Sequence, residues 1–559
     1  MADYPWLSNY PAGLAWNTAF LPKPLYTILD DTAAKYPDHI AIDFMGKEYT
    51  YARLSEMVDR VAAGLQDMGV GRETRVGIFM PNSPQFIIAY YAILKAGGTV
   101  VNFNPLYSER EIEHQINDSK VEIMFTLNLR ILYPKLKPFI GNTSLRKVIV
   151  GFFQEALPIS KAALYTVARA KDLYLPPKND YHATLNELLA YERIAPEKVP
   201  MLLPSEHMAV IQYTGGTTGV PKGAILTHAN VYINTLQSTL WMDGLKEGEE
   251  IMLAVLPFFH VFAMTVALNL AIYNGFKIIP HPRFELKTVL ADIQNKKPTV
   301  FPGVSTLYAT INNCPSLDKY DLTSIKKCIS GGGPLPVEVK QRFEKLTGCS
   351  LVEGYGLSES SPVTHCNPLQ GKNIEGSIGL PLPGTIAEVI SVEDRTTVLK
   401  YGEIGEICIR GPQVMRGYLN QPQETANVLH NGRLHTGDLG YMDAHGYFYI
   451  VDRLKEMIIV GGYNVYPRNV EEVIYSHEAV AECAVVGLSH PSRGQMIKAY
   501  IVLKEGHSAT SDEMKEFMRE RMSRYAVPHD IEFRAELPKS PIGKILKKKL
   551  VAEEAEKHR

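Results

Sequence analysis

The sequence predicts an α/β fold: a large N-terminal domain of helix-covered, mostly parallel sheets, followed by a smaller, more solvated C-terminal domain. Three observations carry this. Stretches with helical apolar periodicity alternate with short apolar runs through the first half of the chain. The charged fraction rises near residue 452, where 34 of the 107 residues from Arg453 onward are charged, against under a fifth before it. The 559 residues are 45% apolar and 21% charged, enough to bury a large core. At about 150 residues per domain the length corresponds to three to four folding units. The composition break divides the chain into 1–452 and 453–559.

In chain order, TYARLSEMVDRVAAGLQDMGV sets Leu54, Met57, Val58, Val61, Leu65 and Met68 on one stripe, predicting an amphipathic helix. RVGIFM then reads as a strand, PQFIIAYYAILKAGG as a helix and TVVNF as a strand. Residues 155–200 carry Lys161, Arg169, Lys171 and Lys178 among Leu, Tyr and Val, closed by Pro176-Pro177. That pattern suits either a helix lying on a membrane surface or a solvated helix covering the core. Ile251 to Phe276 holds no charged residue and is long enough to span a bilayer. Pro257, His260, Asn269 and Asn274 interrupt it, so it is expected to be a buried strand running into a buried helix.

A net charge of -2 offers no broad basic face, which argues against a nucleic-acid partner. Cys314, Cys328, Cys349, Cys366, Cys408 and Cys483 are too widely spaced for a disulfide framework or a cysteine zinc site, so reduced thiols in the cytoplasm are expected. The start, MADYPWLSNYPAG, lacks the basic and apolar regions of a signal peptide.

The strongest chemical signal is Tyr213 to Gly223, YTGGTTGVPKG. Its glycines let backbone N–H groups approach an anion, its threonines add hydroxyls and Lys222 adds a positive charge, so the loop is suited to phosphate. Pro221 stands where a Walker A loop needs glycine. Ser330-Gly331-Gly332-Gly333 could seat a flat ligand against bare backbone or form an ordinary turn. Glu353-Gly354-Tyr355-Gly356-Leu357-Ser358-Glu359 offers an aromatic face, a hydroxyl and a hard oxygen donor suited to Mg²⁺. His260 sits in an apolar run, where a hydrogen-bonded core histidine is the alternative to a functional one. Asp438, in LHTGD, could accept from vicinal ribose hydroxyls or simply form a turn. Arg453, at the composition break, could reach ribose or phosphate through its forked donors.

The YTGGTTGVPKG loop resembles that of the adenylate-forming superfamily, which includes acyl- and aryl-CoA ligases, luciferases and peptide-synthetase adenylation domains. Within it the loop looks most like the fatty-acyl-CoA synthetases. The likeness extends over nearly the whole chain, including NPLYSEREIEHQINDS from Asn104 to Ser119.

The resemblance implies ATP-dependent formation of fatty-acyl-CoA through an acyl adenylate, releasing AMP and pyrophosphate. Alternatives are a medium-chain or aryl-acid CoA ligase, or a fatty acyl-AMP ligase passing its product to a carrier protein. It further implies that Thr214, Gly215, Gly216, Thr217, Thr218, Gly219 and Lys222 surround the phosphates. Gly331, Gly332 and Gly333 would line the adenine, with Glu353, Gly354, Tyr355 and Gly356 beside it and Tyr355 stacked on the base. Ser358 would touch the phosphates, Asp438 would hold the ribose and Arg453 would complete the nucleotide set. Thr214 and Glu359 would hold Mg²⁺.

By the same resemblance His260, Val261, Met264, Gly303 and Val304 form the acyl pocket. Lys455 becomes the hinge of a small, mobile α+β lid, and Gly461, Gly462 and Tyr463 line the CoA channel. Lys544 reaches the carboxylate and α-phosphate during adenylation; with Lys222 and His260 it makes the catalytic set. The partners implied are fatty acid, ATP and CoA, with room for a homodimer and for peripheral contact with a membrane. Three positions depart from the family pattern: Ser358 where Thr is frequent, Arg433 where many acyl-CoA synthetases have Trp, and Gln495 where an acid is common.

Overall fold

The structure, a computed structural model, describes residues 4–191, 196–197, 202–214, 221–460, 463–490, 494–540 and 543–557. The amphipathic stripe becomes the helix Tyr51–Asp67, capped by the Thr50 hydroxyl accepting from the Arg53 N–H, with Leu54, Met57, Val58, Val61 and Leu65 buried. The next three expected elements follow as Arg75–Phe79, Pro84–Lys95 and Thr99–Asn102. The helix Pro84–Lys95 is buried on nearly every side, so its sequence is apolar all round instead of striped.

Two large sheets form the body. One has eight strands, parallel except where Met208–Thr214 turns back through Lys222–Thr227 to Gly417–Tyr418. The other has nine strands, with a parallel run from Ile40–Phe44 to Ser350–Gly356. Helices cover both, as parallel strands require. The uncharged stretch is the strand Ile251–Ala254 followed by a buried π-helical turn, Ala263–Asn269, and the helix Leu270–Tyr273. Among the described residues no helix is long and apolar enough to cross a membrane.

A third sheet was not foreseen. Ile386–Ile390, Gly405–Arg410, Leu429–His430, Arg433–Met442 and Phe448–Arg453 are wholly antiparallel. From Ile458 the chain enters a fourth sheet of five strands with a core of its own, including Val470, Ile474, Val485, Ile501 and Met514. Lys455 lies in the turn between the third and fourth sheets. All six cysteines are unbridged.

Candidate active site

The parallel strands Val300–Gly303, Lys327–Ser330 and Ser350–Gly356 lie side by side and end at one edge of the nine-stranded sheet. Ligands of open α/β sheets bind beyond such carboxyl ends. Here the chain presents Gly303 and Val304, Gly331 to Gly333, and Tyr355.

Glycine is required at some of these positions for different reasons. A Cβ at Gly331 would lie 3.1 Å from the Phe262 ring, and one at Gly303 would lie 2.8 Å from Tyr308. A Cβ at Gly356 would fall 2.1 Å from the Pro362 carbonyl oxygen, so the bare backbone there serves packing. Gly333 has open space around it.

Tyr355 and Asp438 come together across 83 residues of sequence: the tyrosine hydroxyl donates to Asp438 Oδ2 at 2.6 Å. Arg453 Nε reaches the other oxygen, Oδ1, at 3.0 Å. Strand register explains the second contact, because Asp438 and Arg453 are paired neighbours on antiparallel strands. Burial, reinforced by the Asp438 charge, pushes the Tyr355 hydroxyl well above its usual range, so it remains a donor.

Glu406 and His435 support this corner, and sequence reasoning missed them. Glu406 Oε1 accepts from the Gly437 N–H at 2.9 Å, while His435 Nδ1 lies 2.7 Å from Glu406 Oε2. Gly437 has φ +72°, a left-handed turn that glycine adopts freely, and it delivers Asp438 to the cleft. Arg433, one of the departures, pairs with Glu388 at 2.7 Å and takes no part in the site.

Gly215, Gly216, Thr217, Thr218 and Gly219, expected around the phosphates, lie outside the described residues, as do Gly461 and Gly462, and nothing is described of the Tyr463 side chain. The two ends of the phosphate loop are described. Thr214 and Lys222 face each other in register, with the Thr214 hydroxyl 3.4 Å from the Lys222 carbonyl. The Lys222 ammonium pairs with Glu424 and sits 5.3 Å from the Tyr418 ring centre. Tyr418 in turn donates to Glu359 Oε1 at 2.7 Å. Ser358 begins the short helical turn that carries Glu359.

His260 Nδ1 accepts from the Phe262 N–H at 3.3 Å, which leaves the ring proton on Nε2. Burial, with the Lys544 cation second, lowers its pKa to about 4, so the ring is neutral at neutral pH. Val261, Met264 and Val304 are buried in the apolar core.

A loop after the last strand of the C-terminal sheet contributes Lys544. Gly543 has φ +81°, and a Cβ there would meet Thr306 Oγ1 at 2.5 Å; the Thr306 hydroxyl donates to the Gly543 carbonyl at 3.5 Å. The loop therefore packs directly on the edge that carries Val304. Lys544 has solvent access, yet the Arg453 cation, with desolvation second, lowers its pKa to about 8, while Asp438 and Glu456 act in the opposite direction. Neighbouring Lys547 has a separate place: it pairs with Glu471 at 2.8 Å and Glu456 at 3.6 Å.

Glu353 lines a small cavity with Leu335, Lys340, Asn373 and Glu375. Arg468, from the C-terminal sheet region, lies 3.7 Å from its Oε1. Burial raises the Glu353 carboxyl to about 7, partly offset by Arg468.

Fold and cleft together define a nucleotide-using α/β enzyme whose small C-terminal unit closes over the strand ends. Residues 29–419 match the family described as AMP-binding enzyme, and residues 469–544 match AMP-binding enzyme C-terminal domain; the chain belongs to this family. It is 45% identical to the long-chain-fatty-acid–CoA ligase of Bacillus subtilis (strain 168), covering 99% of both chains. It is 37% identical to the protein of that name from Escherichia coli O157:H7, covering 98% of this chain and 97% of that one. Among solved structures it resembles the anthranilate CoA ligase AuaEII in complex with anthranoyl-AMP, at a TM-score of 0.84 and 25% identity over 97% of this chain and 99% of that one.

Proposed function

We propose that the chain is an ATP-dependent fatty-acyl-CoA synthetase with the boundary between its two working domains at 452/453. The observation that carries this reading is the seat of the Lys544 loop, which packs through Gly543 on Thr306 and Val304 at the strand ends. The acyl class is supported by full-length likeness to long-chain-fatty-acid–CoA ligases and by the buried apolar side chains of Val261, Met264 and Val304.

A carboxylate resists thiol attack because its leaving group would be oxide. Its oxygen first attacks the α-phosphorus of ATP; the bond from that phosphorus to the bridging oxygen breaks and pyrophosphate leaves. The CoA sulfur then attacks the acyl carbonyl, AMP departs, and the thiol proton passes to solvent. No enzyme nucleophile is needed, so the protein's work is charge stabilisation and placement.

Tyr355 stacks on adenine while its hydroxyl steadies Asp438, whose carboxylate takes the ribose hydroxyls. Lys222 exchanges Glu424 for phosphate, and Lys544 offsets charge on the carboxylate and α-phosphate. His260 stays neutral and places the carboxylate through Nε2–H. Glu359 and Thr214 offer hard oxygen donors of the kind Mg²⁺ accepts, and the ion would neutralise phosphate charge there. Rotation about Lys455 exchanges the Lys544 loop for the CoA channel.

The test is product analysis with hexanoate, decanoate, palmitate and benzoate. Rising kcat/KM toward palmitate, with AMP and acyl-CoA formed in equal amounts, supports the reading; a benzoate optimum, or acyl-AMP turned over only with acyl carrier protein, overturns it.

A further inference from the structure

The helix Ile159–Ala168 is oriented against the usual rule for a surface helix. Its inward side consists of Ala162 and Tyr165, whose ring lies 5.1 Å from Phe153. At 100° per residue the opposite side carries Ser160, Ala163, Leu164 and Val167, with Ile159 at its edge. Ile159 is 91% exposed, Val167 81% and Leu164 69%.

Two more exposed apolar side chains flank the strand-like pairing that follows the helix. The segment after the helix pairs with residues 128–130 through the Leu129–Leu173 bridge and the Arg130 N–H to Asp172 carbonyl bond. Ile131, 71% exposed, and Leu175, 79% exposed, leave that pairing at its two ends. Among the described residues, seven large apolar side chains are at least 69% exposed; all but Leu21 and Leu106 lie on this helix or beside the pairing that follows it. Scattered single exposures need no explanation, but a concentration of this kind does.

Cations ring the patch. Lys161 is anchored to the Met45 carbonyl at 2.7 Å, Lys137 lies 4.5 Å above the Tyr174 ring, and Lys171 and Lys178 are exposed. The acids alongside are Glu155, Asp172 and Asp180, and Asp172 is paired with Arg169 at 3.4 Å. A convex apolar ridge with a basic border fits an anionic bilayer, where aliphatic tips enter the acyl boundary and ammonium groups stay among the headgroups.

We propose that the helix Ile159–Ala168, with Ile131 and Leu175, is a docking surface for anionic lipid bilayers. The benefit of such docking rests on the fatty-acyl reading above: long aliphatic acids reside in bilayers, so docking brings the enzyme to its substrate. The physical case for the surface is independent of that reading.

The test is sedimentation of the full chain with vesicles of phosphatidylcholine alone or mixed equally with phosphatidylglycerol. Wild type is expected to pellet with the mixed vesicles, less so in high salt. The triple variant Ile159→Ser, Leu164→Ser, Val167→Ser is expected to bind about tenfold more weakly or worse, while activating decanoate at the wild-type rate without vesicles. Lys171→Glu with Lys178→Glu is expected to weaken binding to mixed vesicles only. Equal binding by wild type and triple variant overturns the proposal, as does a wild type that binds neither vesicle. A triple variant that binds vesicles normally but changes from dimer to monomer in light scattering assigns the face to a second copy and also overturns it. If vesicle binding follows the prediction while no acid is activated, the lipid surface stands and the fatty-acyl reading falls.

Discussion

The Tyr355 hydroxyl donates to Asp438 at 2.6 Å, joining the residue proposed to stack on adenine to the residue proposed to hold ribose. The proposed base and sugar contacts are thus joined by a hydrogen bond within the protein itself. Tyr355→Phe keeps the ring and loses the bond, while Arg453 still steadies Asp438. The expected result is a rise of roughly three- to tenfold in the KM for ATP with kcat nearly unchanged, set by the cost of one hydrogen bond to a charged group. Asp438→Ala should cost more in the same ATP–pyrophosphate exchange assay.

Lys544 is proposed to act in adenylation alone. Lys544→Ala is expected to lower ATP–pyrophosphate exchange by about a hundredfold or more. Thioester formation from synthetic acyl-AMP and CoA should remain near the wild-type rate, measured in single turnover.

The same amine sets an alkaline limit. Its pKa of about 8 lies below the ordinary lysine value because Arg453 stands beside it, so the cation is present below that pH and lost above it. The kcat/KM of adenylation should therefore fall as pH rises through about 8. Lys544→Arg cannot deprotonate in this range, and whatever activity it keeps should stay level through the same titration.

Glu353 gives a stability prediction of definite sign. Its folded pKa of about 7 exceeds the ordinary 4.5. Between those values the folded chain retains a proton that the unfolded chain gives up, so stability falls as pH rises across the window and levels off above it. Glu353→Gln removes this titration. Urea denaturation at pH 5 and pH 8 should show a smaller loss between the two in the variant than in wild type.

Two glycines separate packing from binding. Gly356→Ala forces a Cβ to 2.1 Å from the Pro362 carbonyl and should lower Tm markedly, by several degrees or more. Gly333→Ala meets open space and should leave Tm within about a degree of wild type, while raising the KM for ATP if adenine lies against that backbone.

Local periodicity made much of the body legible. The stripe from Leu54 to Leu65 and the interrupted run from Ile251 to Phe276 both folded as their spacing requires. The antiparallel sheet from Ile386 to Arg453 has no such local signature: one of its strands, Leu429–His430, is two residues long, too short to show alternation. The motifs named Asp438, Arg453 and Lys544, but their supports were invisible: Glu406 reaches Gly437 from 31 residues away, and Tyr418 reaches Glu359 from 59. No local pattern encodes such pairs. The resemblance singled out Lys544 among the neighbouring lysines, and the bond of Lys547 to Glu471 gives that residue a separate place. Reversed amphipathicity at Ile159–Ala168 likewise needed the inward contacts of Tyr165 before one side could be called outer.

The seat of Gly543 on Thr306 has a consequence for direction. The residue that seats the loop is the immediate neighbour of the amine proposed to quiet the phosphate, so in the proposed cycle undocking and disarming are a single motion. In that cycle, once the small unit has swung away to admit thiol, returning pyrophosphate would meet an adenylate whose helper cation has already left, and the forward path would be kept by geometry without a separate gate.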